Sequence, residues 1–274
     1  MNLDYQGPTQ IKLDRVLPQS PNSCRLSVLA NAINFYAGKK LFTPEAVLED
    51  INSQRKSKDI PAVDLTKDTL QDSEIDATLK KLAPDLSLIR VNGIKYLTPT
   101  LWKALLLKQF FLVINHQLVY YDPLNPLKNE LNYLPTDLVQ QLVHEPEFSY
   151  QTFTDLYRFY LHRAKAISEG HVDIVLDLVE IDGVDSIILA NMASYGNEFL
   201  IKLPFNFYKN YLAFDWTNEK AITDVKELPP ETEFNALRNI GFLKTGQFQF
   251  LYGLMEIYYP TDHRGDLDQI LCTT

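Results

Sequence analysis

Gln19-Ser20-Pro21-Asn22-Ser23-Cys24 runs directly into Arg25-Leu26-Ser27-Val28-Leu29-Ala30-Asn31-Ala32-Ile33-Asn34-Phe35-Tyr36. Leu26, Leu29, Ala30, Ile33 and Ala37 recur at helical spacing, and Gly38 supplies a left-handed C-cap. The stretch therefore predicts an apolar helix that opens on a cysteine. A thiol reacts as its thiolate, and the partial positive charge at a helix N-terminus favours that form. A glutamine a few residues upstream can aim an amide N–H at the point where an oxyanion develops. Cys24 is thus the candidate nucleophile, and Gln19 the candidate oxyanion-hole donor.

A nucleophilic thiol needs a base. Gly170-His171 opens an apolar strand, and an imidazole has the right unperturbed pKa, about 6.5. The strands His171–Ile181 and Asp185–Asn191 flank Asp182-Gly183, a strong hairpin signal. Such a hairpin brings Asn191 back beside the start of the first strand, where it would orient His171. Strand alternation predicts that His171, Asp173 and Asp177 share a polar, cleft-lining face, and that Val172, Ile174, Leu176 and Leu178 share an apolar one. His116 is the rival base, read as a strand-end histidine in solvent. His144, His162 and His263 stand in polar or helix-surface contexts.

Further elements follow from local signals. Thr43-Pro44-Glu45 starts a helix that runs to about Ile51. Residues 52–70 read as a loop, 72–82 as a helix, 86–91 as a strand and 99–108 as a helix. Phe110–Asn115 reads as a buried strand. The long stretch 116–169 carries turn signals and an aromatic-rich helix over 153–166. Further on come a strand near 198–203, a short helix over 205–211 and an alternating strand from Gln247 to Tyr259. Helices precede an antiparallel meander, so the expected class is α+β, with the cysteine helix packed on the sheet that carries His171.

Composition narrows the functional classes. The chain has 274 residues, 46% of them hydrophobic, and a formal net charge of −9. That acidity argues against sequence-independent nucleic-acid binding, which needs a basic face. Two cysteines, Cys24 and Cys272, exclude a disulfide framework and a multi-thiolate zinc site. Ligand clusters at metal-binding spacing are absent from the sequence, so neither metal nor cofactor is expected. No apolar run approaches the roughly 20 residues of a membrane helix, and the N-terminus lacks a secretory signal pattern. The expected location is cytoplasmic, or a host cell reached without an N-terminal signal. The Asn/Lys/Tyr-rich composition is compatible with a bacterial effector.

The cysteine helix, the His171 strand, the hairpin and Asn191-Met-Ala-Ser-Tyr-Gly-Asn197 together resemble the papain-like cysteine peptidases, and within them the bacteriocin leader peptidase type. The resemblance covers roughly residues 15–55, 72–115 and 170–216. It implies a papain-like domain over residues 1–217, with 116–169 as an insertion acting as lid or recognition element. Residues 218–274 would then be a C-terminal extension packed on the same domain. It also implies a triad of Cys24, His171 and Asn191, with Gln19 and the Cys24 amide holding the oxyanion. Arg25 departs from the glycine usual after the cysteine, and is expected to narrow access or bind an acidic substrate group. The expected activity is peptide or isopeptide hydrolysis through an acyl-enzyme, on a peptide or protein substrate. Acyl or amide-group transfer, including deamidation, uses the same triad. A non-catalytic binding module on the same fold is the alternative of a different class.

Overall fold

The structure, a computed structural model, describes residues 16–17, 23–65, 70–92, 94–120, 151, 170–181, 183–190, 200–205, 213–215, 220–221, 231–232 and 247–272. Among the described residues it is an α+β arrangement built on an eight-stranded, mainly antiparallel sheet.

The first helix, α1 (Cys24–Ala37), ends at Gly38, whose φ of 65° lets its N–H turn back onto the Phe35 carbonyl. Leu26, Val28, Leu29, Ala30, Ala32 and Ile33 are all buried, so apolar residues surround α1 rather than forming one stripe. A helix with that pattern belongs inside the molecule. It packs against β2 (Phe111–Tyr120) and β3 (Gly170–Ile181) below, and against α2 (Pro44–Lys56) and α3 (Asp72–Leu82) beside it.

Polar side chains of α1 clip the flanking chain to it. Asn31 accepts from the Leu17 N–H at 2.8 Å and donates to its carbonyl at 3.1 Å. Asn34 accepts from the Leu41 and Phe42 N–H groups at 2.7 and 2.9 Å. The Tyr36 hydroxyl donates to the Tyr258 carbonyl at 2.6 Å and accepts from the Phe111 N–H at 3.0 Å, which pins the far end of α1 to the sheet.

The α2 helix is longer than its sequence predicts. It continues past Ile51 to Lys56 because tertiary partners hold the extra residues. Arg55 pairs with Glu74 of α3 at 2.6 Å, and Asn52 accepts from the Val63 N–H at 2.8 Å. Neither partner is visible to local periodicity.

Strands run in the order β5-β4-β3-β2-β8-β6-β7, with β1 (Leu86–Asn92) also on β8. Here β4 is Val184–Ala190, β5 Leu200–Pro204, β6 Ala213–Asp215, β7 Lys220–Ala221 and β8 Gln247–Pro260. All pairings among the described residues are antiparallel except β6 with β8. The β3–β4 hairpin pairs Ile181 with Val184, and Gly183 between them has a φ of 79° that a side chain would strain. The alternating segment from Gln247 is a central strand, flanked by β2 on one side and by β1 and β6 on the other.

One face of the sheet, carrying Phe111, Val113, Val172, Ile174, Leu176, Ile188, Ala190 and Tyr258, packs with α1 to α3 in a single apolar core. Beyond the sheet, α4 (Pro99–Leu107) buries Leu101, Trp102, Leu105 and Leu106. It contacts β2, β3 and the C-terminal helix α5 (Arg264–Cys272). Lys103 of α4 meets Asp185 at 2.6 Å, and Trp102 meets Phe205 edge-on at 5.2 Å between ring centroids.

Candidate active site

Cys24 is the first residue of α1, half-buried against the apolar core. The preceding Ser23 is buried and makes no side-chain cap, and the first turn of α1 carries no acidic residue. The first N–H groups of a helix lack intrahelical acceptors, so this end of α1 presents partial positive charge. Cys272, by contrast, is exposed at the end of α5.

His171 is the second residue of β3 and stands directly opposite His116 of β2. Sequence reading treats His116 as the end of a strand. In the structure β2 continues to Tyr120, so the two histidines that compete for the role of base are cross-strand neighbours. This rung lies toward the end of the β2–β3 ladder remote from Phe111, where Tyr36 pins the C-terminal part of α1. Alternation along β3 assigns position 171 to the face of Asp173 and Val175, and gives Val172 and Ile174 to the α1 face.

Gln19 and Asn191 lie outside the described residues, as do the aromatic segment 153–166 and residues 191–197. The β3–β4 ladder is described as far as Ala190 opposite Ile174.

The predicted polar face of β3 is not a cleft wall. Asp173 and Asp177 are both buried. The β3–β4 register shifts between Val175 and Asp177, so Asp177 stands opposite Ile188 and moves to the α1 face. Its Oδ1 accepts from the Leu178 N–H at 2.7 Å. Burial pushes its carboxyl above the ordinary aspartate value, and the Leu178 N–H opposes that shift.

Arg25, expected to narrow access or bind an acidic substrate group, is engaged by acidic side chains of the chain itself. Its Nη2 donates to Asp72 at 2.7 Å and to Glu256 at 3.0 Å, and its Nη1 donates to the Leu70 carbonyl at 3.2 Å. Glu256, in β8, is 2% exposed. It also accepts from Arg90 Nε at 3.4 Å, while Arg90 reaches Asp76 at 2.9 Å. The Tyr258 hydroxyl donates to the other Glu256 oxygen at 3.4 Å. Burial acts to lower the Arg25 pKa, but Glu256 and Asp72 outweigh it and the net shift is upward, so the guanidinium stays charged. Sequence reasoning missed this cluster. Its one signal was Glu256 itself, a lone charge inside Leu254-Met-Glu-Ile-Tyr258.

Among the described residues, no group of three or more His, Cys, Asp and Glu side chains is arranged to hold a metal ion, and no helix is long and apolar enough to cross a membrane. No protein-family model matches the chain, and no curated protein matches its sequence.

Proposed function

We propose that the chain is a papain-like, thiol-dependent hydrolase acting on peptide or isopeptide bonds. Cys24 attacks the substrate carbonyl while His171 accepts the thiol proton. The tetrahedral oxyanion is held by the Cys24 N–H and the Gln19 side chain. Collapse releases the amine, which takes its proton from His171, and leaves an acyl-enzyme. Water, deprotonated by the same imidazole, then frees the acid and regenerates the thiol. Asn191 orients the ring through its carboxamide.

The observation that carries this reading is the placement of Cys24. It stands half-buried at the N-terminus of a central helix whose first turn is free of carboxylates, against an antiparallel sheet that also bears His171. The reading requires the imidazole to reach the α1 side at the very start of β3. Acyl or amide-group transfer differs only in the nucleophile that resolves the acyl-enzyme.

One observation favours the alternative of a binding module without chemistry. The regular pleat assigns position 171 to the face away from α1.

A panel of peptide, isopeptide-linked and glutamine-containing substrates, with and without a primary amine, separates these outcomes. Turnover that vanishes in Cys24→Ala and needs no amine supports the hydrolase. Product formed only with the amine supports transfer. No turnover of any substrate, with unchanged binding in Cys24→Ala, supports the binding module.

A further inference from the structure

A carboxylate in the middle of a sheet is costly unless it is paired, and a methionine or leucine at position 256 would fill the same space at no such cost. Glu256 is nonetheless buried, and its partner Arg25 comes from 231 positions away. That partner is the residue bonded to Cys24. The Arg25 cation favours a thiolate on the adjacent residue, whereas the Glu256 and Asp72 anions that grip it act the other way. The cluster joins α1, α3, β1 and β8 and so holds the first turn of α1 in place. Its remaining charged or titratable members are Asp76 of α3, Arg90 of β1 and Tyr258 of β8.

We propose that Arg25 and Glu256 are positioning residues for Cys24, together fixing the N-terminus of α1 and setting the net charge that the thiol experiences. This rests on the reading of Cys24 as a reactive thiol. One unit charge at about 10 Å, with an effective dielectric constant of about 40, moves an ionisation midpoint by about half a pH unit. Removing the cation and removing the anion must therefore displace the midpoint in opposite directions. Simple loosening of α1 would move both the same way.

The test is the pH dependence of iodoacetamide alkylation in a Cys272→Ser background, where Cys24 is the one thiol. Glu256→Gln lowers the midpoint by about half a unit, Asp72→Asn lowers it by less because its side chain is half-exposed, Arg25→Gln raises it by about half a unit, and Arg25→Lys stays near the parent. Asp72 has a half-exposed side chain, so its variant reads the effect even if Glu256→Gln fails to fold. Midpoints that stay put, or that move the same way in Arg25→Gln and in the acidic variants, overturn the proposal while Cys24 remains a fast-labelling thiol. If Cys24 in the unsubstituted chain labels no faster than Cys272, the thiol reading fails first and takes the proposal with it.

Discussion

His116 and His171 occupy directly opposed positions in the β2–β3 ladder. In sequence they are separated by the long stretch 117–170, with His171 the expected base and His116 its rival. On the sheet they form one rung, so the two assignments concern neighbouring positions. General base catalysis contributes about 10²- to 10⁴-fold. His171→Ala is therefore expected to lower kcat/KM on a cleaved peptide by about that factor, and His116→Ala by less than about tenfold. The opposite order would transfer the role to His116.

The buried carboxylate of Glu256 offers a stability test. Removing one member of a buried, hydrogen-bonded ion pair costs about 3–5 kcal/mol. Glu256→Ala removes the buried acceptor that Arg25 and Arg90 share and leaves them the more exposed Asp72 and Asp76. Urea unfolding should show a loss in that range, with the slope against denaturant unchanged. A loss below about 1 kcal/mol would mean that the guanidinium groups find other acceptors.

Tyr36→Phe keeps the ring and removes the hydroxyl that donates to the Tyr258 carbonyl and accepts from the Phe111 N–H. A buried N–H left unsatisfied costs about 1–3 kcal/mol. The expected destabilisation falls in that range, measured by thermal or urea unfolding. An unchanged midpoint would contradict the pin between α1 and the start of β2.

Asp177 makes a pH-dependent prediction. Its folded pKa is raised by burial, against the opposing pull of the Leu178 N–H. A carboxyl of this kind is tolerated best when protonated, below its unfolded value. Its contribution to stability declines as pH rises through the folded value. Asp177→Asn can keep the acceptor for Leu178 without the charge. The stability of the variant relative to the parent should therefore improve between pH 4 and pH 7. A difference that stays flat over that interval, or declines, would contradict a buried carboxylate at this position.

Local sequence signals sufficed where local physics dominates. The apolar helix after Cys24 with its terminal glycine, the Thr43-Pro44 start of α2, the helix beginning at Pro99 and the antiparallel β3–β4 hairpin are all present where expected. The features that escaped depend on partners distant in sequence. The last residues of α2 are held by Glu74 and Val63, and Arg25 is claimed by Glu256. The one-residue slip between Val175 and Asp177 breaks the alternation on which a shared face for His171, Asp173 and Asp177 was argued. Of the candidate site, Cys24 is described in full and His171 by its strand register, while Gln19 and Asn191 lie outside the described residues.

Competitive alkylation of the unsubstituted chain at pH 7, followed at the peptide level by mass spectrometry, bears most directly on whether Cys24 is a nucleophile. Cys24 is expected to react at least about tenfold faster than Cys272 despite being the less exposed thiol, and His171→Ala should close that gap. Equal rates at the two cysteines, or a Cys24 rate indifferent to residue 171, would contradict it.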